Sequence, residues 1–466
     1  MSSLNSALPS LDRLPGDHDG LLQEVARRAT RYLDGLDQRP VFPTPEAIAG
    51  LQAFDEALPP GPTDPRATLA LLDAVGSPAT VASAGRRYFG FVIGGALPAT
   101  VAASWLATVW DQNAGLFVAS PVATHLEAVA LRWLTDVLGL PAGVGVGFVT
   151  GGTMANFGGL AAARHAVLKG VGWDVEAHGL FGAPPITVIV GEEVHVSLLK
   201  ALNFLGLGRE RVHRVPVDGQ GRMRAEALPP ITGPTIVCIQ AGNVNTGAFD
   251  PADAICRVAH EAGAWVHVDG AFGLWAAAAP GRAHLAAGVA QADSWATDAH
   301  KWLNVPYDSG LVFCRRPEDL RAALTHSPAA YLHEGAPREP MEYTPELSRR
   351  ARGVEVWAAL RSLGREGLAD LIERCCRHAA RFAEGLAAAG YEVLNQVELN
   401  QVLVSFGDAA RTQRVIQAVQ QAGACWMGST IWQGRTAMRI SVSSAATTEA
   451  DVELSLQSIV QTAARS

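Results

Sequence analysis

The sequence predicts an α/β fold, built on a mostly parallel sheet with helices on both faces. Two observations predict it. Between Val144 and Cys314, short apolar or β-branched runs alternate with stretches of helical periodicity. The residues able to do chemistry follow the ends of those runs, and in an open α/β sheet ligands sit beyond the carboxyl ends of the strands.

The elements follow in order. Residues 1–20 read as a loose polar tail. Residues 21–36 carry Leu22, Val25, Ala26, Ala29, Tyr32 and Leu33 on one helical face. Three prolines at 40, 43 and 45 break that pattern, and Pro45 suits the first turn of a second helix reaching Leu58. A Pro-rich linker, 59–65, leads to a third helix over 66–75. Three helices without a sheet do not easily make a core. The glycines Gly90, Gly94 and Gly95 then permit close backbone approach before helices over 99–110 and 124–138. Strands are expected at 144–150, 186–190, 235–240, 265–269, 294–297 and 309–314. Helices are expected at 154–168, 196–205 and 251–262, the last capped by Asp250. Residues 325–345 read as a polar Pro/Gly-rich loop. Beyond it come helices over 352–363 and 365–389, and strands at 392–394, 401–406 and 437–442. Helices over 412–422 and from about Thr448 complete a small α+β unit. The domain division is 1–85, 86–320, 321–364 and 365–466.

Bulk properties narrow the function. The chain has 466 residues, enough for one large core and a smaller domain. It is 48% hydrophobic and 18% charged, with a net charge of −8 and no Lys/Arg block. Nucleic acid and anionic membrane are therefore not expected partners. The first 20 residues lack the basic and apolar regions of a signal peptide, and no apolar stretch would span a bilayer. The six cysteines have neither zinc-like nor secreted-framework spacing, so reduced thiols, no metal and a cytoplasmic location are expected.

The chemistry centres on Asp293-Ser294-Trp295-Ala296-Thr297-Asp298-Ala299-His300-Lys301-Trp302. A lysine in apolar surroundings can lose its proton and attack a carbonyl, which makes Lys301 a candidate Schiff-base residue. Upstream, Trp265-Val266-His267-Val268 reads as a buried strand with Asp269 at its end. A carboxylate there can keep a pyridinium nitrogen protonated. Gly151-Gly152-Thr153, before a helix, has the form of a phosphate cradle of backbone N–H groups and a hydroxyl.

Lysine and aspartate at this spacing resemble the pair in fold-type I pyridoxal-phosphate enzymes. The string from Asp293 to Trp302 resembles the group II amino acid decarboxylases. The resemblance is strongest over residues 75–320. It implies a seven-stranded sheet, pyridoxal 5′-phosphate on Lys301, and a homodimer whose first 85 residues cross to the partner. It implies that Ser294 and His300 join Gly151, Gly152 and Thr153 around the phosphate. It also implies that His195 stacks on the cofactor ring, although a histidine there can equally cap the following helix. Many relatives have Gly-Thr-Thr where this chain has Gly242-Asn243-Val244, so Asn243 is read as a substitute ring contact. Asp298, where some relatives carry asparagine, is left open. The stretch with Gly94 would wall the substrate pocket. Arg439 would receive the substrate carboxylate, or else is an edge-strand arginine. Tyr331, in Ala330-Tyr331-Leu332-His333, resembles the proton-donating tyrosine of a mobile catalytic loop, with Tyr343 as its competitor. The expected activity is decarboxylation of an L-amino acid to its amine. An aminotransferase or a decarboxylation-dependent oxidative deaminase on the same fold is the alternative. The side chain of the substrate is not legible.

Overall fold

In the computed structural model, residues 18–325 and 338–466 are described. The main sheet has seven strands: β1 (Gly145–Val149), β2 (Thr187–Gly191), β3 (Val212–Val215), β4 (Thr235–Gln240), β5 (Trp265–Asp269), β6 (Ser294–Asp298) and β7 (Gly310–Cys314). Their order is β1-β7-β6-β5-β4-β2-β3. All neighbours pair in parallel except β7, which is antiparallel to both β1 and β6. The expected α/β class and mostly parallel sheet are what the chain forms.

The sheet is buried on both faces, as the near-continuous apolar runs of its strands require. Alternate residues enter different cores: Val237 and Ile239 of β4 pack on one face with Val266 and Val268 of β5, and Ile236 and Cys238 pack on the other. The helix Gly152–Lys169 lies on the second face, and the helix Ala252–Glu261 packs on the first. All six cysteines are buried free thiols. No helix among the described residues is long and apolar enough to cross a membrane.

The second sheet is antiparallel, with β8 (Glu392–Val393), β9 (Gln401–Ser405), β10 (Gly428–Trp432) and β11 (Arg435–Ser441) in the order β10-β11-β9-β8. The helices Ala409–Ala422 and Glu449–Arg465 belong to this part. Asp408 caps the first, and a Thr448/Asp451 capping box starts the second. The helical stretch Gly353–Ala388 is two helices in series, broken at Gly364 (φ 61°, ψ −174°).

Four expectations need correction. The second helix does not reach Leu58: it runs over Pro45–Gly50, and a 3-10 turn, Leu51–Phe54, ends it. The strands β3 and β10 were not foreseen. Both have strongly exposed side chains, so neither shows a long apolar run. Asp250 does not cap Ala252–Glu261, whose N-cap is Pro251. Its carboxylate instead accepts from the amides of Met223 and Gln240, both at 2.7 Å. Complete burial raises its pKa to about 6.

The edge strand β1 is secured by charge. Glu127, on the helix Pro121–Val137, is fully buried and pairs with Arg349 and with Arg338, the latter at 3.0 Å. The same guanidinium groups reach the β1 carbonyls of Val146 and Phe148. This occupies backbone acceptors that an edge strand leaves open. Burial pushes the Arg349 guanidinium down to about 9. Glu127→Ala would leave that arginine buried and unpaired, with an expected loss of about 3–5 kcal/mol of stability. Denaturant or thermal melting checks it, and a melt within error of wild type would contradict the account.

Candidate active site

The carboxyl ends of β1, β2, β5 and β6 converge on a cavity of about 320 Å³, lined by Thr150, Gly151, Gly152, Thr153, Met154, His195, Ser197, Ala271, Asp298, His300 and Lys301. The larger opening of about 430 Å³ around Gly233, His260 and Arg316 lies at the opposite edge, away from these groups. Chemistry rather than size therefore selects the first.

Lys301 follows β6 and places Nζ 2.9 Å from Asp298 Oδ2. Asp298 is 2% exposed, so the pair is held in a largely dry setting. His300 Nε2 lies 3.4 Å from Asp298 Oδ1. The Ser309 amide donates to His300 Nδ1 at 3.1 Å, which makes Nδ1 an acceptor and leaves the ring proton on Nε2. Burial lowers the pKa of His300. Tyr307 stacks on its ring with centroids 4.2 Å apart.

Gly151 and Gly152 turn the chain from β1 into Gly152–Lys169, so backbone N–H groups at a helix N-terminus line the cavity with the Thr153 side chain. Asp298 lies against this turn: a Cβ on Gly152 would come within 2.8 Å of its Oδ2. Gly94 runs over the lysine itself, where a Cβ would meet the Lys301 carbonyl oxygen at 1.7 Å.

His195 lines the cavity and also caps Val196–Phe204, its Nδ1 accepting from the Ser197 amide at 3.2 Å. Burial lowers its pKa, as do Lys301 and Arg439, against the pull of Asp269 and Asp298. It is a neutral imidazole at the mouth of the site. Asp269 ends β5 and is 5% exposed. It accepts from Asn156 Nδ2 at 3.0 Å and from the Ala271 amide at 3.3 Å. Arg439, on β11, is close enough to influence His195 and donates to Asn245 Oδ1 at 3.4 Å.

Gly94, Asp269 and Arg439 stand beside the cavity without lining it, and Ser294 and Asn243 are turned away from it. Ser294 sits at the amino end of β6, fully buried. Four residues of strand rise separate it from Asp298, roughly 13 Å. Its hydroxyl instead meets the side chains of Trp265 and His267. Asn243 is turned into its own loop, where Oδ1 accepts from the amides of Asn245 and Thr246 at 2.9 and 3.3 Å. Tyr331 lies outside the described residues. Tyr343 lies at the far end of β1, where a Cβ on Gly145 would be 3.2 Å from its ring, with the Arg338 guanidinium 4.3 Å from the ring centre. Asn156 and His267 were missed. The signal for His267 was its place two residues before Asp269, on the same face of a strand.

The family model described as the pyridoxal-dependent decarboxylase conserved domain matches residues 86–407. The acidic amino acid decarboxylase GADL1 of Mus musculus is 28% identical over 301 residues, covering 62% of this chain and 54% of that protein. Phenylacetaldehyde synthase of Petunia hybrida is 29% identical over 291 residues, covering 58% and 56%. The chain thus aligns with little more than half the length of these two relatives. A crystal structure of Oryza sativa TDC with PLP and tryptamine superimposes with a TM-score of 0.88 at 23% identity, covering 98% of this chain and 99% of that one. With a cradle, a paired lysine and a buried aspartate at one sheet edge, and a family match over residues 86–407, this chain belongs to the pyridoxal-dependent decarboxylase family.

Proposed function

We propose that this protein decarboxylates an L-amino acid to the corresponding amine and CO2. The observation that carries the reading is Lys301 Nζ, 2.9 Å from Asp298, in a cavity shared with the glycine turn of Gly152–Lys169. The residues present fit pyridoxal phosphate. The cavity holds an amine for the aldehyde and helix N–H groups for the phosphate. Its volume, about 320 Å³, is in the range of cofactor sites.

Pyridoxal phosphate, when bound, supplies a ring that takes up the electron pair left as CO2 departs. The protein's own groups do the rest. Lys301 anchors the cofactor, and Asp298 holds the lysine in place beforehand. Gly151, Gly152, Thr153 and the Nε2–H of His300 face the phosphate. His195, kept neutral, forms one wall of the ring site. Asp269 keeps the ring nitrogen protonated. Arg439, without a carboxylate partner among the described residues, receives the substrate carboxylate. Tyr331 returns a proton to the substrate carbon.

The homologous phenylacetaldehyde synthase favours one second reading, in which O2 and water divert the same reaction to an aldehyde with CO2 and ammonia, the O2 leaving as hydrogen peroxide. Product analysis with a panel of L-amino acids separates the two. Amine with equimolar CO2 is expected. Aldehyde with ammonia supports the second reading, and keto acid without CO2 would exclude both. Lys301→Ala should abolish the borohydride-reducible adduct and lower turnover by about 10³-fold or more. A reducible adduct surviving in that variant would remove Lys301 from its role.

Tyr331→Phe should bind cofactor and substrate but yield aldehyde in place of amine when assayed in air. Tyr343→Phe should keep the amine yield, because its ring packs at the other end of β1. The reverse result would transfer the role to Tyr343.

The working form is proposed to be a homodimer, with residues 1–85 crossing to the partner. Exposed apolar side chains in the first 120 residues support a dimer: Leu58 and Leu72 within that segment, and Phe91, Leu106, Val109 and Val118 beyond it, are all at least half exposed, Val118 at 82%. Sedimentation of the wild type should give a dimer, and Leu106→Asp with Val109→Asp should shift it towards monomer. An active wild-type monomer at micromolar concentration would refute the dimer.

A further inference from the structure

Asp269 is held from behind by a chain of buried side chains. Asn156 Nδ2 donates to its Oδ2 at 3.0 Å. Asn156 Oδ1 lies 2.9 Å from His267 Nε2, and His267 Nδ1 lies 2.8 Å from Ser294 Oγ. The Trp265 indole N–H donates to the same Ser294 oxygen at 2.9 Å. Asn156, His267 and Ser294 have no exposed surface, and Trp265 is 3% exposed.

The chemistry of the groups fixes the direction of every bond. An ionised carboxylate only accepts, so Asn156 turns its NH2 to Asp269 and its oxygen to His267. That oxygen needs a donor, so the imidazole proton is on Nε2. Nδ1 is then an acceptor, and the Ser294 hydroxyl donates to it. Burial lowers the His267 pKa to about 3, so the ring carries the single proton this arrangement requires. A space is kept for the ring: a Cβ on Gly159 would come within 2.5 Å of His267 Cε1.

We propose that Ser294, His267 and Asn156 form a one-directional positioning relay that fixes the Asp269 carboxylate in a single orientation. The proposal rests on the reading of Asp269 as the partner of the cofactor ring nitrogen. The relay locks Asn156, on the helix that presents its N-terminus to the phosphate, to the strand that presents the carboxylate. A reversed Asn156 amide would set oxygen against oxygen at Asp269, so the carboxylate fixes the amide, and the amide oxygen in turn selects the Nε2–H tautomer of His267.

The test uses apoprotein reconstituted with pyridoxal phosphate carrying ¹⁵N in the ring. The nitrogen chemical shift reads the ring proton, and a cofactor titration reads affinity. Asp269→Asn should lose the protonated signal. Asn156→Leu should move the signal towards the unprotonated value and weaken cofactor binding about tenfold, the scale of one hydrogen bond to a charged group. Ser294→Ala removes one oxygen, leaves the fold intact, and should move the signal the same way by less. His267→Gln keeps one donor and one acceptor and should retain the wild-type signal. A lost signal in Asp269→Asn beside wild-type values in Asn156→Leu and Ser294→Ala would overturn the relay alone. So would a displacement in His267→Gln as large as in Asn156→Leu. A wild-type signal in Asp269→Asn would overturn the reading of Asp269, and the relay with it.

Discussion

The carboxyl edge of the sheet depends on backbone lying against backbone. A Cβ on Gly310 would come within 2.5 Å of Gly151 Cα, and one on Gly94 would collide with the Lys301 carbonyl oxygen. Neither neighbour is a flexible side chain that could move aside. The first contact seats β7 beside the turn at the end of β1, and the second seats the Gly94 backbone on Lys301. Removing either would reposition the cradle or the amine, whatever happened to the apolar core beneath them.

On that frame the site's charges are balanced within a few ångströms. Asp298 serves Lys301 with one oxygen and faces His300 with the other. Burial lowers the pKa of both His300 and His195. The acid at position 298, left open by the sequence, lies against the glycine turn with Lys301 as its partner.

Much of this was legible because the strands are buried on both faces. The runs Thr235–Gln240 and Trp265–Asp269 are apolar and β-branched or aromatic along most of their length, and both match their expected bounds. The strands β3 and β10 were not, because half-exposed edge strands have no such run. The same contrast divides the site. Residues immediately beyond strand ends, such as Gly151, His195, His300 and Lys301, meet at the cavity. Ser294 does not, because it begins its strand where Asp298 ends it. Asn243 does not, because an asparagine in a tight loop finds partners in its own backbone. Hydrogen bonds between segments far apart in sequence, such as Asn156 to Asp269, leave no local pattern to read.

The break at Gly364 has a consequence of a different kind. A Cβ there would meet nothing within 4 Å, yet φ is +61°. Space does not exclude a side chain; handedness does. The mirror-image torsions, φ near −61° and ψ near 174°, belong to ordinary extended backbone. A d-alanine placed at 364 by chemical ligation would therefore hold these torsions without backbone strain. By narrowing the unfolded chain's freedom it would stabilise the protein, whereas l-alanine at the same position would destabilise it.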